Sequence, residues 1–332
     1  MNQYALSQDS NNLATVFMFS GQGSHYYHMA SDLFEQHRFF RKTLFELDEI
    51  AHSVNGKSVL REIYSREKTA KDWFDATVYT HPAIVMVEYA LAKTLMQEGV
   101  IPDYVLSTSM GSFAALAVSG AFSIEQALTA SIKQAEALEH SGLGVMMAIV
   151  EDIQLFHDTP ELHENSFLGG VNFDNHFVVT STSQNVDALE AFLHKKYKYQ
   201  LLNITTPFHS PLIDPSEPLF KSYLQDTNWA MSKRQADIPM ICCIDGDVKT
   251  EFDMAYTWDA VRQPIMFQKA IQNFNPQGHF RYVDVGPSGT LAAFIKYNVS
   301  RDSAPQILPI LGPRGSNEKR LQAAIDGYFQ RG

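Results

Sequence analysis

Cysteine is nearly absent from this 332-residue chain, and the two present, Cys242 and Cys243, are neighbours in an apolar run. Adjacent cysteines rarely bridge, and no metal-ligand spacing accompanies them. A disulfide framework and a metal site are therefore not expected, which leaves two buried thiols in a reducing compartment. Positive charge is scarce too: lysine and arginine total 26 against 37 acidic residues, for a net charge of −11. Phosphate contacts need a basic footprint, so nucleic acid is a poor partner. Long apolar runs are missing. No stretch approaches the length that spans a bilayer, and the polar start Met1 to Asn12 has no basic segment leading into an apolar one. The expectation is a cytoplasmic protein that does not engage a membrane. Charged residues make up only 19%, which argues against long disordered tails. Repeats and low-complexity segments are lacking as well.

Hydrophobic residues, by contrast, make up 45% of the chain, enough for one large domain with an insertion or for two domains. Residues 1–14 read as a flexible tail. Leu13 to Ser20 reads as a buried strand, residues 26–51 as helical, and the stretch to about residue 75 as a loop. Thr80-His81-Pro82 is expected to open a helix, with Thr80 as cap and the proline in the first turn. A strand at Tyr104 to Leu106 and helices at Gly111 to Ser119 and Ile124 to Glu139 follow. Strand–helix alternation argues for an α/β domain with a parallel sheet. After Gly142 the texture changes to strand, helix, a strand pair, helix and strand, ending at Tyr199 to Thr205. That order is ferredoxin-like.

The stretch Val105-Leu106-Ser107-Thr108-Ser109-Met110-Gly111 carries the strongest chemical signal. An apolar strand meets a serine among small residues, and a helix follows, as in a nucleophile elbow of the G-x-S-x-G type. Gly111 supplies the second glycine, while Ser107 stands at the first. A serine that caps a helix reads the same way, so this stretch alone leaves both readings open. His209, within Pro207-Phe208-His209-Ser210-Pro211, is a candidate base, although a lone histidine in an apolar setting is more often structural.

Taken together with Phe19-Ser20-Gly21-Gln22-Gly23-Ser24 and Asp284-Val285-Gly286-Pro287-Ser288-Gly289, these segments resemble the malonyl-CoA:acyl-carrier-protein transacylase family in order and spacing, from about residue 15 to residue 300. The phrase from Phe19 to Met29 looks closest to the discrete trans-acting proteins of bacterial polyketide clusters. The resemblance implies an α/β-hydrolase-like large domain, residues 15–140 and 207–332, with an inserted ferredoxin-like small domain at 141–206 and the active site in the cleft between them. It also implies a Ser109–His209 catalytic dyad, with the backbone N–H groups of Gln22 and Met110 as oxyanion hole. Cys243 falls where a family asparagine lends its backbone carbonyl to orient the histidine. Phe208, Thr108 and His81 would flank the acyl pocket.

One departure shapes the expected function. Malonyl-transferring members grip the substrate carboxylate with an arginine, and the matching position here is Gln134. An amide supplies no charge, Lys133 points about 100° away around the helix, and Glu136 would repel an anion. The expectation is an acyl hydrolase that removes short acyl groups, such as acetyl, from carrier-protein thiols. The alternatives are a transferase that loads an acyl unit and a non-catalytic docking protein. No cofactor and no metal is needed. The expected partners are an acyl carrier protein and acyl-CoA or acyl-phosphopantetheine, and the protein is expected to be a monomer. An acidic carrier would require a local basic patch, with Lys195, Lys196 and Lys198 as one candidate and Arg262 with Lys269 as another.

Overall fold

The computed structural model describes residues 13–226, 233–275, 280–300 and 304–330. The tail expected at 1–14 lies outside them up to residue 12, and Ala14 already begins a strand. Among the described residues, ten strands form two sheets. In chain order they are β1 (Ala14–Phe19), β2 (Tyr104–Ser107), β3 (Gly144–Ile149), β4 (Phe167–Phe173), β5 (His176–Thr182), β6 (Tyr199–Leu201), β7 (Arg234–Cys242), β8 (Val248–Phe252), β9 (Phe280–Asp284) and β10 (Gln306–Pro309).

The larger sheet runs β10-β9-β1-β2-β7-β8. It is parallel throughout except for β8, which returns antiparallel beside β7. Parallel sheets need cover on both faces, and β1 shows how the sequence provides it. Phe17 and Phe19 enter one apolar core, while Val16 and Met18 enter another on the opposite face. Strand periodicity of two divides one apolar run between two cores.

The smaller sheet runs β4-β5-β3-β6, antiparallel throughout. Helices Gln154–Asp158, Pro160–His163 and Val186–Leu193 cover one face through Phe156, Leu162, Leu189 and Leu193. Met146 and Val178 point the other way and join the large core. Both strand order and helix placement are ferredoxin-like. The small sheet is also tied through backbone to the segment after the helix Ala255–Arg262: Ile265 N–H donates to Gly169 O at 3.0 Å, and Val171 N–H to Ile265 O at 2.7 Å. Gly170 permits this approach, since a Cβ there would lie 2.8 Å from the Ile265 carbonyl oxygen.

Three local expectations are corrected. The helix expected to open at Thr80 instead spans Thr77–Gln97, with Pro82 inside it. Pro82 is the sixth residue, just past the four orphan donors of the helix start, so its missing N–H removes a single i→i−4 bond there. Most residues of that helix are buried, and tertiary packing overrides the local signal. The expected loop to residue 75 contains a short helix, Val59–Ile63, capped by Ser58. The last strand of the small sheet, β6, stops at Leu201 rather than at Thr205.

Candidate active site

The C-terminal ends of β1 and β2 lie side by side, with Phe19 opposite Ser107. Each strand turns sharply there, and the two turns pack against each other. Ser109 sits at the elbow with φ 51°, in the left-handed region that a serine adopts at a cost. Two glycines make the close approach possible. A Cβ on Gly21 would lie 2.6 Å from Ser109 Cβ, and one on Gly111 would lie 2.4 Å from Phe19 O. Ser107 replaces the first elbow glycine without strain. Its hydroxyl lies 3.0 Å from Ser112 Oγ and also meets the Met240 sulfur.

The chain leaving the small sheet brings His209 to this elbow. His209 also has a positive φ, 58°, and its N–H donates to Val261 O at 2.8 Å. The ring lies with Nε2 3.0 Å from Ser109 Oγ and Nδ1 2.7 Å from Gln263 O. A carbonyl only accepts, so Nδ1 carries the proton and Nε2 is left free to accept from the serine hydroxyl. Both side chains are buried, and burial lowers the His209 pKa to about 4 although the Gln263 carbonyl opposes the shift. The imidazole is therefore neutral at neutral pH, as a proton acceptor must be.

The orienting carbonyl belongs to Gln263 and not to Cys243, a correction to the sequence expectation. Cys243 O instead accepts from Met266 N–H at 2.6 Å. The physical signal was Gln263-Pro264. A residue before proline is pushed out of the helical region, and Gln263 has ψ 152° at the end of the helix Ala255–Arg262. Its carbonyl thus leaves the helix direction and is free to meet the ring.

Gln22 occupies the tip of the turn after β1, and its side-chain Nε2 donates to Thr80 Oγ1 at 2.9 Å. Met110 begins the helix Gly111–Val118. Among the described residues, neither backbone N–H donates to a turn or loop carbonyl. From behind, the turn is held by a residue the sequence reading passed over. Glu88 Oε1 accepts from Ser20 N–H at 2.7 Å and from Ser20 Oγ at 3.0 Å. Glu88 is fully buried, which raises its pKa well above the ordinary carboxylate range. Its signal was a lone carboxylate inside an apolar helix.

A cleft of about 180 Å³ opens between the sheets at Ser109 and His209. Thr108 and Phe208 line it, as expected, together with Gln22, Met146, Leu202, Ile204, Ile265 and Phe294. His81 and Gln134 do not line it, contrary to expectation. His81 is fully buried with its ring centroid 5.5 Å from that of Phe208, which itself faces the cleft. Neither ring nitrogen of His81 has a partner among the described residues, and burial lowers its pKa to about 3, so it too is neutral. Gln134 lies in the core on the helix Ile124–Leu138 and donates through Nε2 to Thr257 O at 2.9 Å. Lys133 and Glu136 pair with each other at 2.8 Å. No lysine, arginine, aspartate or glutamate lines the cleft among the described residues.

Of the candidate basic patches, Lys195, Lys196, Lys198 and Lys269 are exposed. Arg262 is engaged elsewhere: its Nη2 donates to Asp214 Oδ2 at 3.1 Å and its Nε to Oδ1. Among the described residues, no group of histidine, cysteine and carboxylate side chains could hold a metal ion, and no helix is long and apolar enough to cross a membrane.

A histidine that loses its charge through burial sets a definite pH dependence. Its base form is present above a pKa of about 4 rather than above 6.5, so acylation of Ser109 should stay nearly flat from about pH 5 to pH 8 and fall below that range. Single-turnover acylation across pH checks it. An acid limb centred on 6.5 would mean a solvated imidazole.

Comparisons with known proteins give the family and the fold. Residues 16–327 match the acyl transferase domain family. The chain is 40% identical over 317 residues to the "Polyketide biosynthesis acyltransferase homolog PksD" of Bacillus subtilis (strain 168), covering 95% of this chain and 96% of that protein. It is 40% identical over 320 residues to the homolog BaeD of Bacillus velezensis, covering 96% of this chain and 98% of that protein. In fold, it is similar to the acyltransferase domain from the second module of the salinomycin polyketide synthase, with TM-score 0.84 at 24% identity, covering 97% of this chain and 74% of that one.

Proposed function

We propose that this chain, which belongs to the acyl transferase domain family, is an acyl hydrolase that clears short uncharged acyl groups from carrier-protein thioesters through an acyl-Ser109 intermediate. The observation that carries the reading is the uncharged lining of the cleft. A malonyl carboxylate drawn into it would find no counter-charge, and an unpaired buried anion is strongly disfavoured. An acetyl group makes no such demand. The relatives at 40% identity carry polyketide-biosynthesis names, which supports phosphopantetheine-borne substrates and an acyl carrier protein as partner.

Ser109 Oγ–H donates to His209 Nε2 as the oxygen attacks the thioester carbonyl. The oxyanion that forms is stabilised by the N–H groups of Gln22 and Met110. The imidazolium keeps its Nδ1–H on Gln263 O and passes the Nε2 proton to the departing thiolate. A water then takes the place of the thiol, His209 accepts its proton and returns it to Ser109 Oγ as the ester opens to a free acid. Transfer is the second reading, and the family match favours it: a thiol of another carrier replaces the water, and the rest is unchanged.

Two measurements test this. In competition between equal malonyl and acetyl thioesters, acetyl should acylate Ser109 roughly ten- to a hundredfold faster, the worth of one missing charge-assisted pair. A malonyl preference would refute the selectivity. Acetyl carrier protein incubated with enzyme alone should yield free thiol by intact mass. An acyl-enzyme that persists until a thiol acceptor is added would establish the transferase instead.

A further inference from the structure

Three consecutive residues at the end of the helix Ala255–Arg262 hold the segment that carries His209. Val261 O accepts the His209 N–H at 2.8 Å, and Gln263 O accepts Nδ1–H at 2.7 Å. Between them, Arg262 grips Asp214 with two donors. Asp214 lies in the tight helical turn Pro211–Ser216, immediately beyond the histidine. The first two links are made by backbone, which any residue could supply. The Arg262–Asp214 pair is the link written in side chains.

The backbone at His209 needs such a link. Its φ of 58° is one that a histidine leaves readily unless its surroundings impose it. Prolines at 211 and 215 limit how the following turn can compensate. A bidentate guanidinium–carboxylate pair fixes angle as well as distance. It therefore sets how the turn lies against the helix end from which the Gln263 carbonyl steers the ring. The pair is also partly open to solvent, with the side chains of Arg262 and Asp214 20% and 45% exposed. Such pairs add little to global stability, so the loss of this one should be felt in geometry more than in melting.

We propose that Arg262 and Asp214 are positioning residues for His209, locking its turn onto the helix end that orients the imidazole toward Ser109. This rests on the reading of His209 as the base. Neither residue touches the reacting atoms.

The test uses the full chain and S-acetyl-N-acetylcysteamine as acyl donor. Arg262→Met and Asp214→Asn should each slow Ser109 acylation roughly ten- to a hundredfold, the usual cost of a small misplacement of a catalytic group. The double variant should be no slower than either single, because one pair is lost in all three. Arg262→Lys should recover only part, since an ammonium cannot fork. A purely structural role would leave the Nδ1–H of the remaining folded protein undisturbed, whereas here its low-field proton resonance should shift or broaden while the melting temperature holds. Wild-type acylation in the variants, or a rate loss that only tracks melting with an unchanged resonance, overturns the proposal. His209→Ala is run in parallel. If it acylates like wild type, the base reading itself fails. If it is slow and the pair variants are fast, only the positioning role fails.

Discussion

Ser109→Ala is expected to abolish acyl-enzyme formation and to lower turnover on the order of 10⁴- to 10⁶-fold, as removal of a covalent nucleophile does elsewhere. Among the described residues, Ser109 Oγ, at 3.0 Å, is the hydroxyl hydrogen-bonded to His209 Nε2. His209→Ala should cost less, roughly 10²- to 10⁴-fold, because the oxyanion donors and the serine persist. Mass spectrometry after incubation with acetyl thioester reads both. An acyl adduct on Ser109→Ala at wild-type yield would place the nucleophile elsewhere.

Gly111→Ala should damage both fold and activity, and the reason is separate from the chemistry. The φ of Gly111 is ordinary for a helix, so the backbone itself tolerates alanine. The added Cβ, however, would lie 2.4 Å from Phe19 O, 2.5 Å from Phe19 C and 2.6 Å from Ser20 O. All three are backbone atoms of β1 and its turn, and none can swing aside. Relief requires the elbow to move away from the turn that holds Gln22. A melting temperature lower by roughly 2–5 °C is expected from overpacking of this kind. Acylation should fall by about 100-fold or more, because serine and oxyanion donors would separate. Gly327→Ala is the control. It lies in the helix Asn317–Phe329, where an added Cβ meets nothing within 4 Å. There alanine should match or slightly exceed wild-type stability, since it costs the unfolded chain less entropy to order. Equal behaviour of the two variants would remove close approach as the cause.

Much of this molecule was readable from sequence because the signals are local. The period-two apolar run at β1, the small residues around Ser109 and the order of elements after Gly142 are properties of neighbouring residues, and they carried the fold class and the candidate elbow at Ser109, whereas His209 and Gln22 were singled out only by the resemblance of several separate segments to one family. The sequence misled where a partner is far along the chain. Nothing near Cys243 says that its carbonyl meets Met266 while the Gln263 carbonyl, 54 residues from His209, takes the ring. Nothing near Gln134 says that its amide will be spent on Thr257 O, 123 residues away, and so be kept out of the cleft. Thr80-His81-Pro82 looked like a helix start because capping propensities are local, and it lost to the packing of a helix buried along most of its length. A side chain's residue type fixes what it can donate or accept. Which atom it meets depends on loop closure over tens of residues and on competition among all the buried groups at once, and that only the tertiary structure decides.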